Sequence, residues 1–85
     1  MISISYTPSF LKQAKSLENE VYQNLKKKIE LFKNPQNHKV LKVHKLHGRL
    51  GDCYAFSVTH SMRVIFEYTA KSEVLFHDVG GHDIY

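Results

Sequence analysis

The 85-residue chain has no tryptophan, a single cysteine, two prolines and four glycines. With Cys53 alone, no disulfide can form within the chain, which suits a reducing compartment. No apolar run approaches the ~20 residues of a membrane span. No N-terminal stretch resembles a signal peptide, so the expectation is a soluble, cytoplasmic protein without a membrane partner. There is no Gly-x-Gly-x-x-Gly, no phosphate-binding loop and no nucleophile elbow. Nucleotide cofactors and serine hydrolysis therefore have no support, and no cofactor is expected. No RNA-recognition motif with paired aromatics is present. His44-x-x-His47 lacks a second ligand pair, so no metal site is assigned.

Another absence concerns charge. Between Lys33 and Arg49 there are five basic residues, three histidines and no acid. The net charge of +4 divides into +7 over residues 1–50 and −3 over residues 51–85. A block of one sign is either a solvated face or an attractor of polyanions, RNA or an acidic protein segment first among them.

Apolar residues make up 42% of the chain, enough for one domain over 1–85 with one modest core. A domain of this size buries only about 60–65% of its unfolded surface and is marginally stable without a partner. "ISISY" alternates and is β-branched, which predicts a strand over Ile2–Tyr6. Thr7 then caps a short helix with Pro8 in its first turn, presenting Phe10, Leu11, Ala14 and Leu17 on one face. Val21, Leu25, Ile29 and Phe32 form the apolar stripe of a second helix, which Asn34-Pro35 stops. A loop passing into a short strand follows over Gln36–Asp52. Three strands close the chain, "CYAFSVT", "MRVIFEYT" and "EVLFHDV", joined by hairpin-length connections. This order predicts an α+β domain with an N-terminal strand and a two-helix hairpin. A curved antiparallel sheet of three to four strands completes it.

Within that frame a few residues could carry chemistry. Arg63 is a cation in an apolar strand and needs a partner, a route to water or a job. It could pair with Asp78 or Glu67, or it could grip a phosphate with its planar fork. His44, in the basic loop, and His82, near the chain end, are placed for acid–base work, to which the imidazole side chain is suited. His77 lies mid-strand and reads as structural. Cys53 reads as a small packed residue rather than a nucleophile.

The stretch "KLHGRLGDCYAFSVTHSMRVIFEY" followed by "EVLFHDVGGHDIY" resembles the RelE/ParE toxin superfamily, most closely its YafQ-like branch of ribosome-associated mRNA interferases. The motif covers residues 44–85, and the order of elements covers the whole chain. The resemblance implies the toxin of a type II toxin–antitoxin module, partnered by an antitoxin, mRNA and the ribosome. It implies RNA cleavage without metal, by attack of the ribose 2′-oxygen on the adjacent phosphate. By that resemblance His44, Arg63, His82 and Tyr85 are the catalytic set, and Lys42, Lys45, Arg49 and Ser57 contact the substrate. Ser57 departs from the pattern, since several such enzymes carry Arg or His there. Two alternatives remain within the same resemblance: a ParE-like topoisomerase poison, and a weakened member that mainly binds its antitoxin. The glycines of "DVGGHDIY" are expected to turn His82 and Tyr85 back towards Arg63.

Overall fold

Thr7 turns the chain from strand to helix and ties both to the sheet. A computed structural model describes residues 1–81 and Ile84; His82 and Tyr85 lie outside the described residues. The first strand, β1 (Ser3–Tyr6), ends at Thr7, whose extended backbone starts helix α1 (Pro8–Lys15). The Thr7 hydroxyl accepts from the Phe10 N–H at 3.0 Å and donates to the His77 carbonyl at 2.8 Å. One side chain therefore caps the helix and pins it to the last strand. Pro8 occupies the first turn, where a missing N–H costs nothing.

Helix α1 buries Phe10 and Ala14, one turn apart. The expected apolar face is narrower than the sequence suggests: Leu11 is 51% exposed, and Leu17 packs on the core from the link beyond the helix. Helix α2 (Asn19–Phe32) buries Leu25 and Phe32, with Ile29 packed against the same core. Asn34 then accepts from the Gln36 N–H and starts a single 3-10 turn over Pro35–Asn37.

Four further strands follow: β2 (His44–Lys45), β3 (Tyr54–Ser57), β4 (Arg63–Ala70) and β5 (Glu73–Gly80). They form one sheet in the order β1-β5-β4-β3-β2. All neighbours are antiparallel except β1, which runs parallel to β5, with Ser3 opposite Glu73 and Tyr6 opposite Phe76. The parallel pairing joins strands far apart in the chain, with both helices and β2, β3 and β4 between them, so no hairpin constrains their direction. Beyond Tyr6, β1 no longer covers the edge of β5. The Gln13 side chain takes its place, donating to Asp78 and accepting from the Val79 N–H.

Strand alternation sorts the sheet into two faces. Phe56, Val64, Phe66, Val74 and Phe76 join Phe10, Leu25 and Phe32 in the core. Phe32 is its centre, with ring centroids 4.9 Å from Phe56, 4.9 Å from Phe66 and 5.4 Å from Phe76. A bulge in β5 sets Ile65 opposite Asp78 but Phe66 opposite Phe76, leaving His77 as the extra residue. The bulge explains how Phe76 and Val79, three apart, both reach the core. It also bends the strand, as expected of a curved sheet. The opposite face carries Ala55, Ser57, Arg63, Ile65 and Glu67, and it is the face on which the site is built. No helix among the described residues is long and apolar enough to cross a membrane.

Candidate functional site

The basic loop is fastened at Leu41, which is buried in the core and whose carbonyl accepts from the Ser57 N–H at 3.0 Å. Behind it His38 stacks on Phe32 at 4.5 Å and bonds the Phe32 carbonyl at 2.8 Å, so this histidine is structural. The next residue, Lys42, has a left-handed backbone with φ of 60°. A side chain in that region costs roughly 1–2 kcal/mol. Surrounding bonds hold it there: Lys42 N–H to the Lys39 carbonyl at 3.1 Å, and Val43 N–H to the His38 carbonyl at 3.0 Å.

The strained turn aims the Lys42 carbonyl at Nδ1 of His44, 2.8 Å away. A carbonyl can only accept, so Nδ1 carries the hydrogen. In the neutral ring the Nε2 lone pair is therefore left for other work. His44 is exposed and sits opposite Ala55 on β3.

Arg63 opens β4 between Ser57 of β3 and Gly80 of β5. The ion pair considered for it with Glu67 or Asp78 is not formed. Glu67 bonds His77 at 2.8 Å, and Asp78 accepts from Gln13 at 3.1 Å. Among the described residues no carboxylate lies within ion-pair distance of the guanidinium. That leaves Arg63, half-buried, facing two adjacent hollows.

The larger hollow is an open cleft of about 550 Å³ lined by His44, Lys45, Leu46, His47, Arg49, Leu50 and Arg63. It thus unites four of the residues singled out in the sequence: His44, Lys45, Arg49 and Arg63. No acid lines it. Lys42 and Ser57 instead line the smaller hollow, of about 390 Å³, on the other side of Arg63. Gly80, opposite Arg63, brings the chain to the site's border; the positions assigned to His82 and Tyr85 lie outside the described residues.

Sequence reasoning missed Leu46 and Leu50 as apolar walls of the cleft, and His47 as a lining residue. The single 3-10 turn over Gly48–Leu50 places them there, and Gly48, with φ of 73°, was the available signal. Cys53 is poorly placed to act as a nucleophile. Burial first, and then the charges of Glu67, Asp52 and Asp78, push its thiol above the ordinary range. Among the described residues no three His, Cys, Asp or Glu side chains gather as a metal site.

No protein-family model matches the chain, and no curated protein does. Solved structures do. The E. coli DinJ–YafQ toxin–antitoxin complex contains a chain 23% identical, with a TM-score of 0.76 over 98% of this chain and 94% of that one. The YoeB–YefM complex from Staphylococcus aureus matches at 13% identity and a TM-score of 0.75, over 96% and 98%. The RelBE2 toxin–antitoxin complex from Mycobacterium tuberculosis matches at 11% and 0.71, over 95% and 98%. Identities this low establish the fold: the chain is built as RelE/ParE-type toxins are, with YafQ among its neighbours.

Proposed function

We propose that this chain is the toxin of a toxin–antitoxin module and an endoribonuclease that cleaves translated mRNA with side chains rather than a metal. The observation that carries the reading is one cleft, without an acid among its described walls, in which His44, with Nδ1 bound to the Lys42 carbonyl, stands with Arg63, Lys45 and Arg49. These are the base and the cations that 2′-hydroxyl attack on a phosphodiester requires. His44 takes the proton from the 2′-hydroxyl as the oxygen bonds to phosphorus. Arg63, with no carboxylate partner among the described residues, stabilises the charge of the five-coordinate phosphorus. Lys45 and Arg49 hold the flanking backbone, and Leu46 and Leu50 exclude water from one side. The P–O5′ bond breaks, leaving a 2′,3′-cyclic phosphate and a 5′-hydroxyl. The resemblance assigns the proton donor for that oxygen to His82 and an orienting role to Tyr85.

The structural neighbours crystallised with antitoxins support an antitoxin as this chain's partner. A net charge of +7 over residues 1–50 suits an acidic partner segment, and translated mRNA and the ribosome place the activity in the cytoplasm. Ser57 puts a hydroxyl where related enzymes carry a cation, so the work rests on Arg63.

Controlled expression tests the reading. Wild type is expected to arrest growth and degrade mRNA, while Arg63→Ala is expected to lose about 10²–10³ in cleavage rate, as for loss of one charge-stabilising donor. DNA damage with intact mRNA would assign the fold to topoisomerase poisoning instead.

A further inference from the structure

We propose that the smaller hollow, bounded by Lys28, Lys42, Ser57, Thr59, His60 and Arg63, is a second phosphate-binding subsite. It would take the backbone phosphate next to the one being cleaved. The inference rests on the ribonuclease reading and extends the substrate path beyond the reacting centre.

Three features of this hollow point to an anionic occupant. Among the described residues its charged and titratable walls are Lys28, Lys42, His60 and Arg63, with no acid. Its remaining polar walls are the hydroxyls of Ser57 and Thr59, which can donate to phosphate oxygens. Finally, it is continuous in function with the larger cleft, because Arg63 is a wall of both. An occupant reaching from one hollow to the other must present successive negative groups along a flexible chain. A single-stranded ribonucleotide backbone does so at every residue.

The elements that build the hollow come from three places in the sequence. Lys28 is on α2, and unlike its neighbours Lys26 and Lys27, which are exposed, it is half-buried. Lys42 is held by its left-handed backbone, and its carbonyl orients His44, so one residue links the two hollows. Thr59 and His60 belong to the β3–β4 turn, which the pairing of Ser57 with Arg63 brings beside them. Lys28 and His60 are thus positioning residues for the RNA strand, outside the reacting centre.

The test measures binding of a single-stranded oligoribonucleotide with 2′-O-methyl sugars, which cannot be cleaved because the nucleophilic hydroxyl is blocked. Affinity is followed by fluorescence anisotropy over a series of salt concentrations for wild type, Lys28→Ala, Lys28→Arg, His60→Ala and Arg63→Ala. Loss of one phosphate contact lowers the slope of log affinity against log salt by about 0.7 for a single strand. Lys28→Ala is expected to show that drop and to weaken binding by the same factor for oligonucleotides of different sequence, with Lys28→Arg restoring both. His60→Ala is expected to weaken binding less than Lys28→Ala, because His60 is the more exposed wall of the hollow. If Lys28→Ala matches wild type in slope and affinity while Arg63→Ala weakens binding, the subsite is refuted and the ribonuclease reading stands. If neither variant changes binding, or wild type does not bind, the subsite is refuted, and the ribonuclease reading falls only if wild type also leaves translated mRNA intact. Thermal melts confirm that each variant is folded.

Discussion

The Nδ1–H of His44 donates to the carbonyl of Lys42 at 2.8 Å, and Lys42 stands in the left-handed region at φ of 60°. Backbone strain at one residue thus fixes the tautomer of another. Strain of this kind persists only where its surroundings over-determine it. Here the bonds from Lys42 to Lys39, from Val43 to His38 and from His38 to Phe32 do so.

Substitution at Lys42 separates backbone strain from charge. Glycine adopts the left-handed region without penalty, whereas valine, branched at Cβ, does so at the greatest cost. Lys42→Val is expected to be about 1–2 kcal/mol less stable than Lys42→Gly in urea denaturation. Both variants lack the ammonium, so any further difference in cleavage between them reports the setting of His44. Equal stability would show that the turn relaxes freely.

Phe32 is the keystone of the core, fully buried and in contact with three phenylalanines and the His38 ring. Phe32→Ala is expected to cost about 3–5 kcal/mol. For a small domain that is a large share of the total, and the basic loop loses the stack that anchors His38. The variant should melt far below wild type. A shift of only a few degrees would mean that the core closes over the gap.

Cys53 offers a test of the electrostatics on the sheet face. Its thiol is raised by burial and by the nearby charges of Glu67, Asp52 and Asp78. The reactive thiolate is therefore scarce at pH 8, and alkylation should be slower than for a free thiol, rising as pH increases. Removing one neighbouring charge lowers the thiol pKa again, so Glu67→Gln is expected to speed alkylation severalfold. Alkylation as fast as a free thiol in the wild type would contradict the assignment.

What the sequence made legible and what it hid have physical reasons. The capping of α1 by Thr7 and Pro8, the stop at Asn34-Pro35 and the alternation of β3 and β4 are local, and each is visible in a few residues. The bulge at His77 is not local, because it is defined by the partner strand. Strict alternation would have placed Phe76 and Val79 on opposite faces. The basic loop was legible as charge, and His44, Lys45, Arg49 and Arg63 meet in one cleft. That Lys42 and Ser57 fall on the far side of Arg63 depends on a left-handed turn at a lysine, which no propensity announces. Lys28 follows two other lysines in the sequence, and only the tertiary contact between α2 and the β3–β4 turn sets it apart from them.

The central claim is that His44 and Arg63 cut RNA in this cleft, and primer extension on mRNA from cells expressing the chain tests it most directly. Wild type should give position-specific stops within translated messages. His44→Ala should weaken them by about 10²–10⁴, the usual contribution of a general base, and Arg63→Ala by about 10²–10³. Stops of undiminished strength in both variants, or intact messages during wild-type growth arrest, would contradict the account.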